Sequence, residues 1–402
     1  MYKLSRSSRL FSNSVFAAGA FALGMFISMS PAQAADPALP AEFQQQFNQQ
    51  LQQAKVPGGA YAIVYQDKVL ALGSYGVRAV GEPARVNPDT VFRLASVSKT
   101  FAGNLMVQLS LQGQLDLHQP LKAYVPELKL KNAKIEQQTD VESVLSQGSG
   151  FWAHAFEDLI EANKTPAEIL PRLAELSPVC PPGRCYSYQN VFFGLLGRAA
   201  EQSTGRSYES LVNDKVFSPL QMHNASYGLT GLLASRNKAL PHERGAKGWR
   251  TVKPKANFYR FPAAAGVNAS ARDLSQYLIA MLGHRPEVFS PALISQLQQP
   301  LVKMPGKPRW PVWQQYRNAS AWYGRGWRMV QYGDERLYYH AGVVDGYRPY
   351  IAYSPATGYG LVLLTNAEAD VTGKLAGWFW QQVLPGPQLA KHKQSTVKNG
   401  AK

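Results

Sequence analysis

Acidic residues and cysteines are scarce in this sequence of 402 residues. Asp and Glu number 26 against 42 Lys and Arg, which gives a net charge of +16, and only two residues are cysteines. The basic residues are scattered, with no basic stripe interleaved with aromatics and no zinc-finger spacing of Cys and His, so we expect no nucleic-acid partner. An anionic envelope polymer or lipid headgroups would account for the positive charge as well.

Several signatures of cofactor and metal sites are also missing. None of the seven histidines forms H-E-x-x-H, and two cysteines alone are too few for a zinc site. The chain has no G-x-x-x-x-G-K-[ST] and no G-x-G-x-x-G between a strand and a helix, so we expect no metal and no cofactor. The G-x-S-x-G motif is absent too, which weighs against an α/β-hydrolase fold.

The first 34 residues have the pattern of an export signal. Three basic residues precede an apolar run over residues 15–27, and small residues follow over 30–34. This pattern predicts cleavage after Ala34 and a periplasmic location, with an uncleaved N-terminal anchor as the alternative. No later run reaches the roughly 20 apolar residues of a spanning helix, so we expect no transmembrane span in the mature chain.

The two cysteines are Cys180 and Cys185, on either side of Pro181-Pro182-Gly183. In an oxidising compartment two nearby cysteines are more often paired than free, and we expect a disulfide. Because the loop between them is short, the bond would mainly stiffen the chain locally.

The periodicity of the apolar residues predicts an α+β fold. It indicates a helix over 41–54, a hairpin over 60–75 and a last helix over 368–384. It also indicates strands over 325–331, 336–340, 347–353 and 359–365. Residues between about 96 and 300 are mainly helical in pattern, with clear periodicity over 101–111, 167–176, 191–200 and 274–282. We therefore expect one antiparallel sheet built from both chain ends, flanked by terminal helices, with a large mainly helical insertion.

This pattern also suggests the domain organisation. After the signal peptide, one domain would cover residues 40–385, with an α/β part over about 40–95 and 300–385 and a helical part over about 96–299. Residues 386–402 have no apolar pattern and would form a disordered basic tail.

The first candidate catalytic motif is S-x-x-K at Ser96 and Lys99. The following residues are helical in pattern, so both side chains would lie on one face at the start of a helix. A lysine within hydrogen-bond reach can take the serine proton if its pKa is depressed. The spacing also occurs at 235–238 and 395–398, but only Ser96 follows a strand and precedes a strong apolar helix.

Two further short motifs lie downstream. Tyr188 and Asn190 form Y-x-N on a loop before a helix, whereas the second Y-x-N, at 316–318, lies in an irregular stretch. His340 and Gly342 form H-x-G at a strand end, followed by Val343. Taken singly, each residue has a structural explanation: a helix cap, a solvated lysine, a core aromatic or a strand-end histidine.

In this order, S-x-x-K, Y-x-N and [K/H]-x-G resemble the serine β-lactamase and penicillin-binding protein superfamily, and its class C β-lactamase-like branch in particular. That branch includes class C β-lactamases, DD-carboxypeptidases, D-aminopeptidases and esterases, and the resemblance covers about residues 43–384. Two positions depart from it. Gln147 stands where many relatives have histidine, a position that we interpret as structural, and His340 stands where class C β-lactamases have lysine.

The resemblance implies roles for the motif residues. Ser96 would be the nucleophile that forms an acyl-enzyme, and Lys99 and Tyr188 would share the work of the base. Because a free tyrosine has a pKa near 10, Tyr188 would need a neighbouring cation, and Lys99 could supply it. His340 would act as a donor or proton relay and make activity depend on pH between about 6 and 8.

The remaining motif residues would bind the substrate. The backbone N–H groups of Ser96 and Val343, the latter after Gly342, would form the oxyanion hole, and Asn190 would bind a substrate oxygen. The sequence thus predicts an exported serine hydrolase for a β-lactam, a D-amino-acid peptide or a carboxylic ester, with peptidoglycan fragments as possible substrates. The alternative is a non-catalytic envelope protein that uses the same cleft to bind wall peptides or a partner. The oligomeric state stays open.

Overall fold

Both ends of the chain contribute strands to one eight-stranded antiparallel sheet, in a computed structural model that describes residues 35–305, 319–332 and 335–384. The strand order is β2-β1-β13-β12-β11-β10-β9-β8, so the first hairpin lies beside the last strand. The predicted signal peptide, the basic tail and the Y-x-N at 316–318 lie outside the described residues. The predicted α+β class with an antiparallel sheet is confirmed.

The described strands are β1 (Gly58–Tyr65), β2 (Lys68–Gly76), β3 (Phe92–Arg93), β4 (Ser226–Tyr227), β5 (His242–Gly245), β6 (Gly248–Thr251), β7 (Val267–Ala269), β8 (Val302–Lys303), β9 (Ser320–Tyr323), β10 (Arg328–Tyr332), β11 (Glu335–Ala341), β12 (Tyr350–Ser354) and β13 (Tyr359–Thr365). Besides the large sheet, β3, β7 and β4 form a small three-stranded sheet, and β5 pairs with β6.

The described α-helices are α1 (Leu39–Gln53), α2 (Ser98–Leu111), α3 (Leu121–Tyr124), α4 (Ala133–Gln138), α5 (Val141–Leu145), α6 (Glu157–Glu161), α7 (Pro166–Ile169), α8 (Asn190–Thr204), α9 (Tyr208–Val212), α10 (Gly228–Ala234), α11 (Pro262–Ala265), α12 (Ala271–Met281), α13 (Pro291–Leu297) and α14 (Thr372–Val383). Short 3₁₀ turns lie at Ala95–Val97, Leu170–Glu175 and Asn257–Arg260. Within the described part of the chain, no helix is long and apolar enough to cross a membrane.

Alternating side chains of the sheet pack against helices on its two faces. Tyr61 of β1 contacts Phe43 and Phe47 of α1, with ring centroids 5.0 and 4.8 Å away. Its neighbours on either side in the strand, Ala60 and Ala62, belong to the main core on the opposite face. Because helices cover both faces, β1 and β13 are buried along almost their whole length, and their sequences are continuous apolar runs.

Three predicted elements begin or end at other residues, each for a local reason. The helix predicted over 167–176 is α7 followed by a 3₁₀ turn, because Pro171 has no N–H to continue the α-helical ladder. The strand predicted from residue 325 begins at Arg328, since Gly326 has a φ of 80° in a turn. The strand predicted from residue 347 begins at Tyr350, because Tyr347 belongs to a turn that pairs with Val344.

Candidate active site

A tight turn presents Ser96 at the start of α2. Strand β3 ends at Arg93, and the 3₁₀ turn over Ala95–Val97 leads directly into the helix. Ala95, immediately before the serine, has a φ of 46°, in the left-handed region that non-glycine residues rarely adopt. Such strained backbone persists only where the surroundings hold it, and here Arg93 and its neighbour pair with β7. The turn places Ser96 on the wall of a cavity.

Lys99, one turn further along, is completely buried and has three polar contacts. Its Nζ lies 3.2 Å from Ser96 Oγ, 2.5 Å from Asn190 Oδ1 and 3.0 Å from the carbonyl oxygen of Ala264. Burial lowers the pKa of Lys99 well below its ordinary value, the charge of Glu157 opposes this, and the charge of Arg328 adds to it. In its neutral form this amine would donate its two N–H groups to Asn190 and Ala264, which leaves its lone pair for the serine hydroxyl.

The loop that carries Tyr188 is held by the segment from Gln147 to His154. The Ser187 N–H donates to the Gln147 carbonyl oxygen at 2.8 Å, and the Gln189 N–H donates to Gln147 Oε1 at 2.6 Å. The His154 N–H donates to the Tyr188 carbonyl oxygen at 2.8 Å. Gln147 therefore holds the tyrosine loop by both its backbone and its side chain, in agreement with our structural interpretation of this position.

Cys180 and Cys185 are disulfide-bonded in a turn beside that loop. The Gly183 N–H donates to the Gly148 carbonyl oxygen, and the Val179 N–H donates to the Gly150 carbonyl oxygen. The disulfide turn therefore braces the same segment that holds the tyrosine loop.

Tyr188 is buried between basic and aromatic side chains. Lys99 Nζ lies 4.8 Å and the Arg328 guanidinium carbon 5.1 Å from the centre of its ring. Burial raises the pKa of Tyr188 to about 12, although the Arg328 charge and a hydrogen bond with Ser96 lower it. The expectation that Lys99 supplies a cation to make Tyr188 a phenolate is therefore wrong, because burial favours the neutral amine and the neutral phenol together.

His340 lies deeper than the sequence suggested. Its Nε2 lies 3.0 Å from the Tyr323 hydroxyl, and its Nδ1 lies 2.9 Å from the Ala341 carbonyl oxygen. A carbonyl only accepts, so Nδ1 carries the proton and Nε2 accepts from Tyr323. Burial and the nearby charges of Arg328 and Lys99 hold the pKa of His340 well below its usual range. The predicted pH dependence through His340 between pH 6 and 8 is therefore wrong, because the ring stays neutral across that window.

The residues after His340 bring a backbone loop against the nucleophile turn. A Cβ atom on Gly342 would lie 2.8 Å from the Leu94 carbonyl oxygen and 2.9 Å from Ala95 Cβ. Only glycine at position 342 therefore lets the loop lie this close to the turn that carries Ser96. Val343, half exposed, lines the same cavity as Ser96, as an oxyanion hole built from their two N–H groups requires.

The cavity in front of Ser96 has a volume of about 630 Å³ and charged walls. Ser96, Tyr188, Asn190 and Val343 line it, whereas Lys99 lies behind Ser96, and neither Gly342 nor His340 is among the described residues of its wall. Among the described residues, no group of three His, Cys, Asp or Glu side chains is arranged to hold a metal ion.

Sequence reasoning missed three residues of this site, His154, Glu157 and Arg328, which all line the cavity. Arg328 left a weak signal, a charged residue at the start of an otherwise apolar strand. His154 and Glu157 left none, because they belong to no motif and only the fold brings them beside Asn190.

Comparisons with known sequences find relatives over most of the chain. A family model described as Beta-lactamase matches residues 43–383. Protein flp of Staphylococcus aureus (strain MW2) is 26% identical over 355 residues, which cover 86% of this chain but only 66% of Protein flp. Penicillin-binding protein 4 of Amycolatopsis lactamdurans is 25% identical over 363 residues, covering 86% of this chain and 93% of that protein.

Solved structures share the fold at low sequence identity. The octameric penicillin-binding protein homologue from Pyrococcus abyssi superimposes with a TM-score of 0.74 and 23% identity, covering 86% of this chain and 76% of that one. A D-stereospecific amidohydrolase from Streptomyces sp. has a TM-score of 0.67 and 19% identity, covering 84% of this chain and 97% of that one.

Proposed function

Because the chain belongs to the beta-lactamase family, we propose that it is an exported serine hydrolase that forms an acyl-enzyme at Ser96. One observation carries the proposal: the fully buried Lys99 Nζ lies 3.2 Å from Ser96 Oγ. The resemblance of the motifs supports it independently. The proposed export, to the periplasm, rests on the sequence pattern of residues 1–34 alone.

In the proposed reaction, Lys99 Nζ takes the Ser96 Oγ proton as that oxygen attacks the substrate carbonyl carbon. The N–H groups of Ser96 and Val343 stabilise the resulting oxyanion. Tyr188, protonated at neutral pH, donates its proton to the leaving group and is reprotonated by Lys99. Water then releases the acyl group from Ser96. His340 touches none of these atoms, and we propose that it supports the site through Tyr323.

We propose that Asn190 also binds the substrate. Its Oδ1 accepts from Lys99 and its Nδ2 donates to Glu157 at 2.7 Å. An amide nitrogen carries two hydrogens, so one of them remains for a substrate oxygen at the cavity wall.

Arg328 favours an anionic substrate. Its guanidinium lines the cavity among tyrosine rings, and no carboxylate of the described residues forms an ion pair with it. A guanidinium stays charged at all ordinary pH values and binds carboxylates well. We therefore place β-lactams and peptides that carry a carboxylate, including D-amino-acid peptides of the cell wall, before neutral carboxylic esters.

Covalent labelling tests the proposal. The purified protein is incubated with a fluorescent penicillin and, separately, with a fluorophosphonate probe, beside Ser96→Ala and a matched Ser98→Ala control. We expect labelling that is lost in Ser96→Ala alone. Labelling by neither reagent would contradict the proposal and favour the alternative, an envelope protein whose cleft binds without reacting. Hydrolysis of nitrocefin, p-nitrophenyl acetate and D-Ala-D-Ala peptides then ranks the substrates.

A further inference from the structure

A chain of hydrogen bonds runs from the surface to the nucleophile. His154 Nδ1 lies 2.9 Å from Glu157 Oε2, and Glu157 Oε1 accepts from Asn190 Nδ2 at 2.7 Å. Asn190 Oδ1 in turn accepts from Lys99 Nζ at 2.5 Å, and Lys99 reaches Ser96. The described motifs account for Ser96, Lys99 and Asn190, but not for Glu157 and His154.

We propose that Glu157 is a positioning residue, which keeps the Asn190 amide turned with its oxygen toward Lys99, and that His154 holds the Glu157 carboxylate in place. The proposal rests on the proposed chemistry of Ser96 and goes beyond the motifs. It assigns a task to a helix, α6, that contributes no other residue to the catalytic contacts described above.

The chemistry of the two neighbours decides the orientation of the amide. A carboxylate only accepts hydrogen bonds, so the side of Asn190 that faces Glu157 must be its NH₂ group. The Asn190 oxygen is then left for Lys99, which donates to it. Were the amide reversed, its NH₂ group would donate to the neutral amine and occupy the lone pair that Ser96 needs.

The Glu157 side chain is mostly buried, whereas the His154 side chain is exposed. The side chain of Glu157 is 18% exposed and that of His154 is 60% exposed. The His154 backbone N–H also binds the Tyr188 carbonyl oxygen, so the same short segment holds both the tyrosine loop and the carboxylate.

The charge of Glu157 also acts on Lys99 directly. It raises the pKa of Lys99, against the larger effect of burial. The charged and titratable side chains that face Lys99 are Glu157 of α6, His154 of the preceding loop, Tyr188, Arg328 of β10 and His340 of β11. Removing the Glu157 charge leaves the others in place, so the pKa of Lys99 should fall further.

Glu157→Gln tests the assignment in the full chain, because glutamine keeps the shape but can offer either an oxygen or an NH₂ group to Asn190. Asp158→Asn on the same helix is the matched control, since it removes an equal, exposed charge outside the cavity. The first measurement is the NMR titration of Lys99 in protein labelled with ¹³C-lysine, its signal identified by its loss in Lys99→Met. The second is the rate of fluorophosphonate labelling as a function of pH.

We expect Glu157→Gln to lower the pKa of Lys99, to move the acidic limb of the labelling profile to lower pH, and to reduce the plateau rate about tenfold to a hundredfold. His154→Asn, which keeps the backbone contact, should cause a smaller change in the same rate. Asp158→Asn should change none of these quantities.

The outcomes separate this inference from the proposed function. A Lys99 pKa that is equal in Glu157→Gln and Asp158→Asn would overturn the inference, whether or not Ser96 reacts with the probe. A shifted pKa with an unchanged plateau rate would also overturn the positioning role. Failure of the parent protein to react would contradict only the proposed function, and a Lys99 pKa that is equal in the two variants would still overturn the inference.

Discussion

Arg93 and Asp345 form an ion pair that joins the two backbone segments of the proposed oxyanion hole. Arg93 Nη1 lies 3.2 Å from Asp345 Oδ2, and the guanidinium of Arg93 is completely buried. Arg93 lies three residues before Ser96, and Asp345 lies two residues after Val343. The guanidinium also lies 3.8 Å above the centre of the Tyr259 ring. The pair therefore links the segment that precedes Ser96 to the loop that follows Val343.

Asp345→Asn tests that pair, since asparagine tolerates the left-handed backbone of this residue, with its φ of 36°. We expect a loss of about 2 kcal/mol in the free energy of unfolding, because a hydrogen-bonded charge partner of a buried guanidinium is removed. Denaturant unfolding of the parent protein and the variant measures this loss of stability. Asp89→Asn, which breaks an exposed pair with Arg272, should change stability by less than about 1 kcal/mol. Equal losses in both variants would contradict the expectation.

His340 should make the protein less stable in acid. An unfolded histidine has a pKa of about 6.5, and burial holds the pKa of His340 well below that value. Between the two values the unfolded chain binds more protons, so the free energy of unfolding falls as the pH drops below about 6.5. Denaturant unfolding from pH 7.5 down to 5 should show a shallower fall for His340→Gln. The pKa of His242 is also lowered, in both proteins. The effect of His340 is therefore the difference between the two slopes of unfolding free energy against pH.

Gly342→Ala should separate the loop of Val343 from the nucleophile turn. The added Cβ atom would meet the Leu94 carbonyl oxygen and Ala95, neither of which is free to move away. We expect the rate of probe labelling to fall by about a hundredfold, the usual effect of a displacement of roughly 1 Å in a site. Gly197→Ala on α8, whose Cβ would have its nearest contact at 3.6 Å, is the control. A parent-like rate in Gly342→Ala would show that this approach is not needed.

Arg328→Met should discriminate between substrates by their charge. If the guanidinium binds an anionic group, hydrolysis of β-lactams and peptides that carry a carboxylate should fall by about tenfold or more, a contribution of roughly 1.5 to 3 kcal/mol for a charged hydrogen bond. Hydrolysis of neutral p-nitrophenyl acetate should change much less, and steady-state kcat/KM for the two kinds of substrate gives the ratio. Arg336→Met on the neighbouring strand serves as the control. An equal fall for both kinds of substrate would assign Arg328 to the support of Tyr188 alone.

Cys180→Ser with Cys185→Ser should have a local effect. The disulfide spans only five positions. Its removal should lower the free energy of unfolding by about 2 kcal/mol, because the unfolded chain gains the entropy of an open loop. The Tyr188 loop should loosen first, because the disulfide turn braces the segment that holds it. Hydrogen exchange should increase at Ser187 and Gln189 more than at α12. An equal increase across the whole molecule would contradict this local role.

The sequence predicted those parts of the site that depend on local spacing. Ser96 and Lys99 lie one helical turn apart, so their contact followed from S-x-x-K. The resemblance to a known family placed Asn190 in the same site, but its contact with Lys99, 91 positions away in the chain, was not predicted. Glu157 was out of reach of either kind of reasoning, because only tertiary packing brings it to Asn190.

The properties of buried groups were the hardest to predict. His340 lies near the end of β11 as predicted, but its ring contacts Tyr323 and is not among the described residues of the cavity wall. Tyr188 and Lys99 were expected to form a charged pair, and burial of both makes the neutral pair more stable. Burial is a property of the assembled fold, and a motif does not contain it.

The pairing of β1 with β13 has a consequence for the time at which the protein folds. Ala62 lies opposite Val362, so the central ladder of the sheet joins positions 362 − 62 = 300 residues apart. A contact of such separation forms late, since the intervening chain must first be synthesised and its loop-closure entropy overcome. During most of its synthesis the polypeptide therefore lacks the central ladder of its sheet, and the native core is completed only after the last strand has emerged.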